Sequence, residues 1–402
     1  MDAYRELLGD AQVRALTLAV LFSGLGGAAV PLALVLLVRE QSGSFATAGA
    51  VVAALGVATG LFNPLRGRLV DTKGQRKTLT PLALIHLCAL AVLVALAVGD
   101  APTWALLVAA VVAGAAPPPL MSSLRALWRN LVPAPRLETA YALQAVLTEM
   151  LFIASPLLAA VLVAGFSAKL AVLVLITVEF AGAIAFTATP ASRSWRSEPR
   201  EAGRLGALGS PGMRTLVVGS LPYGMVFGAL DVAAPAFADR HGAPEAAGIA
   251  LAALAFGSMI GGLVYGSRSW PWDLPTRYLL LLIVLAALLA LSTLAGGIPA
   301  FALLLALAGL MVAPATTIIY SLLDRVAPRG TPTEATTWMI LGYAVGGALG
   351  ASLAGIAVER SGATLAIAVS SIGALLSELV ILSRLGTLSG QGRQSSEGGA
   401  IQ

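Results

Sequence analysis

Charged residues are scarce in this 402-residue sequence, in which 25 lysines and arginines and 20 aspartates and glutamates make up only 11%. Soluble domains carry roughly 25% charged residues, so a soluble fold of this length would lack the charges that its surface needs. Disordered chains are also excluded, because they are poor in apolar residues, whereas 58% of this sequence is apolar. The composition therefore predicts a membrane protein with several spanning segments.

Cysteine and histidine are nearly absent. The single cysteine, Cys88, excludes an internal disulfide and a thiolate metal site, and the two histidines, His86 and His241, leave no imidazole cluster for a metal. The sequence contains no Walker motif for nucleotide binding. It also has no loop-borne cluster of His, Asp or Ser of the kind that a lipid-modifying enzyme would need. We therefore expect no metal, no cofactor and no enzymatic activity.

Twelve apolar stretches are long enough to cross a membrane, since a spanning helix needs about 20 mostly apolar residues. Their long runs of Ala, Leu and Val lack the two-residue alternation of a membrane barrel. The predicted spans are residues 14–38, 43–65, 78–98, 103–128, 138–164, 168–188, 213–238, 243–267, 276–295, 299–323, 334–358 and 362–385. The expected fold class is an all-α membrane protein with twelve transmembrane helices.

Basic residues are distributed unevenly between the predicted loops. If the amino terminus lies inside the cell, only Arg39, Lys169, Arg240 and Arg360 of the 25 basic residues fall outside. The positive-inside rule then predicts that both termini are cytoplasmic. Residues 1–13 lack the apolar segment and cleavage site of a signal peptide, so we expect no removable leader. The arginine-rich, lysine-poor composition indicates a multi-pass protein of the bacterial cytoplasmic membrane, and short basic clusters explain the net charge of +5 without a nucleic-acid partner.

Residues 189–212 form the longest polar stretch between two spans, with six spans on either side. This position predicts an amino-terminal six-helix bundle over residues 1–188, a cytoplasmic linker over 189–212 and a carboxyl-terminal six-helix bundle over 213–387. Residues 388–402 are poor in apolar side chains and are predicted to form a disordered cytoplasmic tail.

The two halves resemble each other in sequence. Residues 48–67 align without gaps on residues 247–266, at an offset of 199, and Trp128–Pro133 matches Leu323–Pro328 at an offset of 195. The common order and the nearly constant offset indicate an internal duplication of six helices. Such duplication is typical of membrane transporters, which bind their substrate near the bilayer midplane where the repeats meet.

The loop after the second span has a distinct pattern of glycine, aspartate and basic residues, formed by Gly67, Asp71, Gly74, Arg76 and Lys77. Glycine permits tight turning between two helices, and an aspartate here can pair with arginines or with a helix amino terminus. A generic basic loop would explain the charges but not the spacing of glycine and aspartate. The pattern resembles the signature of the major facilitator superfamily.

This resemblance implies two pseudo-symmetric six-helix bundles, the fold of that superfamily, in which spans 1, 4, 7 and 10 line the substrate cavity and spans 3, 6, 9 and 12 lie outside. It also implies that the loop latches one conformation, a role that we carry to Asp71 and the basic residues beside it. The corresponding loop of the second half, Gly266–Trp270, has no aspartate. A latch is therefore expected in the first half only.

The fifth span carries a second, weaker resemblance. Residues 155–160 read Ser-Pro-Leu-Leu-Ala-Ala, where antiporters of the superfamily carry Gly-Pro-x-x-Gly-Gly. Small residues stand in place of the glycines, and small residues permit close helix packing, while Pro156 is expected to bend the helix. The resemblance favours export, although the arginine that the family carries early in the fourth span is absent.

Two ionisable residues in the fifth and fourth spans form the first candidate site. Charged groups at membrane depth are costly and mark functional positions. Glu149 lies about 16 Å into its span, near the midplane of the bilayer. Glu149 either takes and releases a coupled proton or forms a structural ion pair with Arg125.

Other ionisable residues occupy further spans. Asp231 lies in the seventh span, four residues before Pro235, and is a candidate substrate or proton site. Its alternative role is to accept hydrogen bonds from backbone groups that the proline frees. Glu179, Glu378 and His86 lie on spans that the family resemblance places outside the cavity, so we expect them to bond neighbouring polar groups.

Prolines mark the candidate hinges. Pro117, Pro118 and Pro119 each remove a backbone donor, so together they must break or sharply bend the fourth span. Pro314 of the tenth span and Pro156 of the fifth each remove a backbone donor in the same way. Irregular backbone at this depth is tolerated only where it is packed in protein or lines a wet cavity. A gating hinge is one interpretation, and a kink that merely fits its neighbours is the other.

Glycines recur at four-residue spacing in two spans of the second half, at Gly342, Gly346 and Gly350 and at Gly257 and Gly261. Faces of small residues allow helices to approach closely. We expect these faces to be helix crossings.

Together these features predict a secondary transporter that exports a small amphipathic organic compound in exchange for protons. We expect it to act as a monomer whose partners are the substrate, protons and the lipid bilayer. Import or facilitated diffusion of a metabolite such as a sugar stays open as the alternative. A receptor built on an inactive transporter fold would bind a compound without moving it.

Overall fold

The computed structural model describes residues 2–199, 203, 205–243 and 246–388, and in these residues the chain forms helices and turns but no strand. The helices are α1 (Asp2–Gly9), α2 (Ala11–Ser42), α3 (Phe45–Lys73), α4 (Gln75–Val98), α5 (Thr103–Ala115), α6 (Leu120–Leu131), α7 (Leu137–Gly165), α8 (Ala168–Ala188), α9 (Pro190–Ser194), α10 (Pro211–Arg240), α11 (Ala247–Gly266), α12 (Leu274–Ser292), α13 (Ile298–Val326), α14 (Pro332–Ser361) and α15 (Ala363–Ser383).

Twelve segments of the described residues are long and apolar enough to cross a membrane. They are α2, α3, α4, the pair α5–α6, α7, α8 and each helix from α10 to α15. Each segment overlaps one predicted span, so the predicted all-α membrane fold with twelve transmembrane helices is confirmed. Several helices extend beyond their apolar stretch, because backbone hydrogen bonding can continue where the side chains become polar.

The described residues form two compact units. The N-unit comprises residues 2–134 and 147–199, and the C-unit comprises residues 135–146 together with the described residues after 200. Helix α7 (Leu137–Gly165) therefore begins in the C-unit and continues in the N-unit.

The predicted linker, residues 189–212, contains local structure. The Thr189 hydroxyl accepts from the backbone N–H of Ser192 and caps α9, and Trp195 after this helix is buried. A turn of 3₁₀-helix covers Gly206–Gly209. Residues 200–202 and 204 lie outside the described residues, as do residues 389–402 of the predicted tail. Leu388, the one described residue of the predicted tail, is fully buried.

Glycines set the closest helix crossings of the C-unit, where α10 packs along α14 and α11 packs along α13. A Cβ built at Gly346 of α14 would lie 1.8 Å from the Leu221 carbonyl oxygen of α10. A Cβ at Gly261 of α11 would lie 2.2 Å from the Leu310 carbonyl oxygen of α13. Only glycine fits at such distances, so the prediction that these glycine faces are helix crossings is confirmed.

The internal duplication is visible in matching contacts of the two halves. In the N-unit, a Cβ at Gly114 of α5 would lie 2.2 Å from the Leu55 carbonyl oxygen of α3. In the C-unit, a Cβ at Gly309 of α13 would lie 2.1 Å from the Leu254 carbonyl oxygen of α11. The two leucines are 199 residues apart and the two glycines 195, the offsets of the sequence alignment. The same backbone contact therefore occurs once in each repeat.

Candidate functional site

The fourth span is interrupted within the N-unit, since α5 ends at Ala115 and α6 begins at Leu120. In an α-helix each carbonyl accepts from the N–H four residues later. Pro117–Pro119 have no N–H, so the carbonyls of residues 113–115 lose their helical donors. The predicted break is confirmed, whereas α7 and α13 remain continuous through Pro156 and Pro314.

Arg66 of α3 supplies hydrogen bonds to the broken segment. Its Nη1 donates to the Pro117 carbonyl at 2.8 Å and to the Gly114 carbonyl at 3.4 Å. Its Nη2 donates to the Thr59 carbonyl at 2.7 Å and to the Asn63 amide oxygen at 3.4 Å. The arginine is 3% exposed, and its positive charge at the carboxyl-terminal end of α5 is favoured by the helix dipole.

His86 of α4 adds a side-chain donor to the Ala113 carbonyl, which also accepts from the backbone N–H of Ala116 at 3.2 Å. Its Nδ1 lies 2.8 Å from the Ala113 carbonyl oxygen, and since a carbonyl can only accept, Nδ1 carries the hydrogen. The opposite ring nitrogen, Nε2, lies 3.4 Å from Oε1 of Glu179 in α8, and each of these two side chains is only 10% exposed. The other carboxyl oxygen of Glu179, Oε2, is buried without a hydrogen-bond partner among the described residues.

Glycines of α2 make room for the Glu179 carboxyl group. A Cβ at Gly27 would lie 2.9 Å from Oε1 of Glu179. A Cβ at Gly26 would lie 2.5 Å from the Leu175 carbonyl oxygen, so α2 and α8 approach each other closely here. Because the space around the carboxyl is filled by protein, the pair with His86 is held in place from the α2 side.

Arg66, His86 and Glu179 together form what we call the break cluster. Two of its side chains bond the consecutive carbonyls of Ala113 and Gly114, and His86 interacts electrostatically with both other members. Buried charges are expensive unless they are paired and hydrogen bonded. The cluster therefore combines a support for irregular backbone with a group that can change its charge.

The three ionisable residues singled out from the sequence lie elsewhere. Arg125 of α6 is 1% exposed and Glu149 of α7 is half-buried, and each has interactions within the described chain. Asp231 lies in α10 of the C-unit, where its side chain is exposed and has no hydrogen bond or ion pair with the described residues. The roles assigned to these residues stay predictions.

Sequence reasoning missed Arg66 because the predicted second span ended at residue 65, which placed the arginine in a basic loop. Helix α3 continues to Lys73. His86 and Glu179 were expected to bond neighbouring polar groups, but their pairing with each other depends on helix rotation, which hydropathy does not report. The proline triplet was the available signal, since three missing donors call for buried donors nearby.

The glycine and aspartate pattern lies partly inside α3. The expectation that Gly67 turns the chain is wrong, because Gly67 is helical and the turn falls at Gly74. Gly74 has φ of 89°, which is a conformation that suits glycine. Asp71 and Gly74 are buried, while Arg76 and Lys77 are exposed.

The corresponding loop of the C-unit is held by a residue from α7. Both carboxyl oxygens of Glu138 accept from Arg277, at 2.9 Å and 3.0 Å. Arg277 also lies over the Tyr265 ring, and Tyr265 stacks on Trp270. Thr139, next to Glu138, donates to the Gly266 carbonyl at 2.8 Å. An acidic anchor is thus present in this half, although no aspartate occurs in the loop itself.

An aromatic group lies on α10 ahead of Asp231. Phe227 and Tyr223 precede Asp231 by four and eight residues, the spacing of one helix face. The two rings are 5.4 Å apart, and Tyr343 of α14 lies 5.5 Å from Phe227 and 6.2 Å from Tyr223. Asp231 therefore shares a face of α10 with two of these three rings.

The chain matches a known protein family along most of its length. The sequence profile of the Major Facilitator Superfamily matches residues 16–351. A search of curated protein sequences gives no match. In the part of the chain that the structure describes, no group of three or more His, Cys, Asp or Glu residues is arranged to hold a metal ion.

Solved structures share the fold. A bacterial homologue of the iron transporter ferroportin, in an outward-facing state, matches with a TM-score of 0.74 at 17% identity, over 93% of this chain and 99% of that chain. The fucose:proton symporter of E. coli matches with a TM-score of 0.72 at 14% identity, over 92% and 98%. A human organic anion transporter matches with a TM-score of 0.69 at 16% identity, over 92% and 100%.

Proposed function

Because the chain belongs to the major facilitator superfamily, we propose that it is a proton-coupled secondary transporter that exports a small amphipathic organic compound. The fold supports membrane transport by alternating access. Transporters of this fold expose their substrate site to one side of the membrane at a time. We propose a monomer in the bacterial cytoplasmic membrane with both termini in the cytoplasm.

The position of Asp231 is the main support for the proposed proton coupling. The residue lies about 14 Å from the end of α10 at 1.5 Å per residue, close to the middle of a ~30 Å membrane core. Its exposed carboxyl has no partner among the described residues. Charged groups at such depth face water-filled paths or other polar groups rather than lipid. Asp231 is therefore suited to bind a proton or a polar group of the substrate, with Glu149 as the second candidate.

The aromatic face beside Asp231 supports an amphipathic substrate. Phe227, one helical turn before Asp231, is partly exposed, and so is Tyr343, whose ring lies 5.5 Å from that of Phe227. Aromatic rings with one polar anchor suit a compound that is apolar at one end and polar at the other. A strongly anionic substrate would need more arginines than these helices carry.

Export is supported by the resemblance of the fifth span to the antiporter sequence. Ser155 is buried and Pro156 lies inside the continuous helix α7. The alternative is import or facilitated diffusion of a metabolite such as a sugar. The matching structures include a bacterial homologue of an iron transporter and a proton symporter, and transport into inverted vesicles distinguishes the two directions.

We also assign conformational roles to the latch residues and the prolines. We assign the latch of one conformation to Asp71, Arg76 and Lys77, with Gly67 and Gly74 shaping the segment. The hinge is assigned to Pro117–Pro119, and smaller bends to Pro156 and Pro314. Prolines in membrane helices are tolerated where neighbours satisfy the freed carbonyls, as Arg66 and His86 do at the break.

Transport into inverted membrane vesicles tests the function. Vesicles with an acidic lumen should accumulate an exported compound from a panel of amphipathic drugs and metabolites, and should lose protons as they do so. Asp231→Asn and Glu149→Gln should reduce this gradient-driven accumulation. Asp239→Asn is the matched control, because Asp239 lies in the same helix but is exposed near its end.

The outcomes separate the alternatives. Accumulation that needs an alkaline lumen would indicate import, and movement insensitive to the gradient would indicate a uniporter. Full proton-coupled flux in both variants would show that the coupling residues are assigned wrongly. Binding of a compound without any movement would contradict transport altogether.

A further inference from the structure

The break cluster supports an inference beyond the coupling residues named above. We propose that the His86–Glu179 pair is a proton-binding site separate from Glu149 and Asp231, and that its protonation controls how firmly the break between α5 and α6 is held. The link to transport rests on the proposed function, whereas proton binding itself is measured without a substrate.

The geometry confines proton exchange to one position. Nδ1 of His86 keeps its hydrogen because the Ala113 carbonyl, at 2.8 Å, can only accept it. The ring therefore gains or loses its proton at Nε2, which faces Oε1 of Glu179 at 3.4 Å. One proton bound to the pair lies either on the ring, which gives an ion pair, or on the carboxyl. Release of that proton leaves a neutral ring beside a carboxylate.

Few other titratable groups surround the pair. Helix α8 contributes Glu179 and α3 contributes Arg66, while α5 contributes none. Helices α2 and α9, which also pack on α4 and α8, carry charged residues only near their ends. Cys88 of α4 is exposed. Since arginine stays protonated, the cluster is neutral without a bound proton and carries one positive charge with it.

The charge of the ring acts directly on the break. A hydrogen bond donated by a charged group is roughly twice as strong as one donated by a neutral group. The Ala113 carbonyl accepts the His86 bond and one from the backbone N–H of Ala116 at 3.2 Å, while Pro117 has removed its usual helical donor. Protonation therefore strengthens the hold on the end of α5, and release weakens it. The bonds from Arg66 to Gly114 and Pro117 do not change with pH.

This arrangement occurs in one half of the duplicated chain. Helix α13 is unbroken through Pro314, and α12, which corresponds to α4, contains no histidine. Glu378 of α15 follows Glu179 by 199 residues, one of the two repeat offsets. Glu378 is therefore a matched control, namely a membrane carboxyl at the equivalent place without a histidine partner.

Histidine NMR tests the proton site. The chain has two histidines, so the His241→Gln variant leaves His86 as the only labelled ring. The full chain in lipid nanodiscs, without substrate, is titrated while the ring ¹⁵N signals are recorded. We expect one protonation step at His86 within the pH range titrated. Glu179→Gln should lower the proton affinity of the ring about tenfold, and Glu378→Gln should leave it unchanged.

A ring that keeps one protonation state over this range overturns the proton site, and so does an unchanged titration in Glu179→Gln. Control of the break needs a second readout, the amide hydrogen exchange of residues 116–123 corrected for the intrinsic effect of pH. In the unsubstituted chain, protection of this segment should rise as His86 becomes protonated.

The variant His86→Gln separates support from titration, because glutamine keeps an N–H donor but does not titrate in this range. The segment should stay protected in His86→Gln, with its dependence on pH lost. A dependence that survives this substitution overturns the control of the break.

Failure of this inference differs from failure of the proposed function. If His86 titrates with Glu179 but the chain moves no compound, the proton site stands and transport fails. If transport is proton-coupled while His86 does not titrate, the coupling runs through Glu149 or Asp231 and the proton site is excluded.

Discussion

Gly346 of α14 faces Leu221 of α10 so closely that a Cβ at position 346 would lie 1.8 Å from the Leu221 carbonyl oxygen. Neighbouring turns repeat the approach, because a Cβ at Gly228 of α10 would lie 1.8 Å from the Gly347 carbonyl oxygen. Backbone contact at this range lets Cα–H groups donate weak hydrogen bonds to carbonyls. The crossing of α10 and α14 therefore depends on glycine on both helices.

Substitution of Gly346 should destabilise the C-unit. Gly346→Ala forces α14 away from α10, and overpacking of this kind costs about 1–3 kcal/mol. Gly355→Ala is the control in the same helix, because a Cβ there meets nothing within 4 Å. The control should be neutral or should gain up to about 1 kcal/mol from the lost flexibility of glycine. Thermal unfolding of both variants in detergent measures the difference, and equal midpoints would contradict the close crossing.

The internal duplication makes a paired prediction. Gly114→Ala and Gly309→Ala meet the same kind of backbone oxygen at 2.2 Å and 2.1 Å, so both should destabilise the fold by about 1–3 kcal/mol. Gly49→Ala and Gly248→Ala, which are 199 residues apart, have no neighbour within 4 Å and should be tolerated. Unfolding midpoints of the four variants check this pattern. A strong effect in one half only would show that the repeats no longer share this contact.

Much of the fold could be predicted because its determinants are local. Apolar runs of about 20 residues report the spans, and the proline triplet at 117–119 reports the break. Glycines at 342, 346 and 350 predict a crossing, although the sequence does not say which helix they face. Each of these signals lies within a few residues of the feature that it predicts.

The polar contacts could not be predicted in the same way. The partners Glu138 and Arg277 are 139 residues apart in the chain, and their pairing depends on how α7 and α12 are placed. His86 and Glu179 meet because of the rotation of α4 and α8 about their axes. Arg66 is predicted to lie in a loop, whereas α3 continues for about two helical turns beyond its apolar stretch. Hydropathy reports depth in the membrane but neither helix rotation nor helix length beyond the apolar core.

The pair of Glu138 and Arg277 should contribute as a unit. Its two parallel hydrogen bonds match the fork geometry of arginine, so Arg277→Lys should lose about as much stability as Arg277→Gln. The double variant with Glu138→Gln should be less destabilised than the sum of the single variants, with a coupling of about 0.5–3 kcal/mol. Thermal unfolding measures the cycle, and Arg268→Gln, at an exposed position in the loop before α12, is the control. Additive effects would mean that the pair contributes no joint stability.

Loss of Arg66 should weaken the support of the break. Arg66→Gln cannot supply all four hydrogen bonds of the guanidinium, and each carbonyl left buried without a donor costs about 1–3 kcal/mol. Arg66→Lys should rescue little, because a single ammonium group does not reproduce the planar fork. Hydrogen exchange of residues 113–120 and thermal unfolding check this expectation. Arg68→Gln, exposed on the same helix, should change neither measurement, and an equal effect of the two variants would contradict the assigned support.

Substitutions at Gly74 and Gly43 distinguish the effect of backbone strain from that of a steric contact. Both end a helix with positive φ, at 89° for Gly74 and 67° for Gly43, but their ψ values of 157° and 3° differ. Positive φ with extended ψ is open almost only to glycine, at a cost of about 1–3 kcal/mol for other residues. The left-handed helical conformation of Gly43 is less strained for residues other than glycine. A Cβ at Gly74 would also lie 3.0 Å from Nη1 of Arg196, whereas none would meet a neighbour at Gly43.

Gly74→Ala should therefore lower the unfolding midpoint more than Gly43→Ala. Adding Arg196→Ala to Gly74→Ala should recover only the stability that is lost through contact with Arg196, since the backbone strain at position 74 stays. If the double variant regains full stability, contact with Arg196 rather than the backbone conformation is the reason for glycine at this turn. If Gly43→Ala is as damaging as Gly74→Ala, the extended ψ of Gly74 adds no strain of its own.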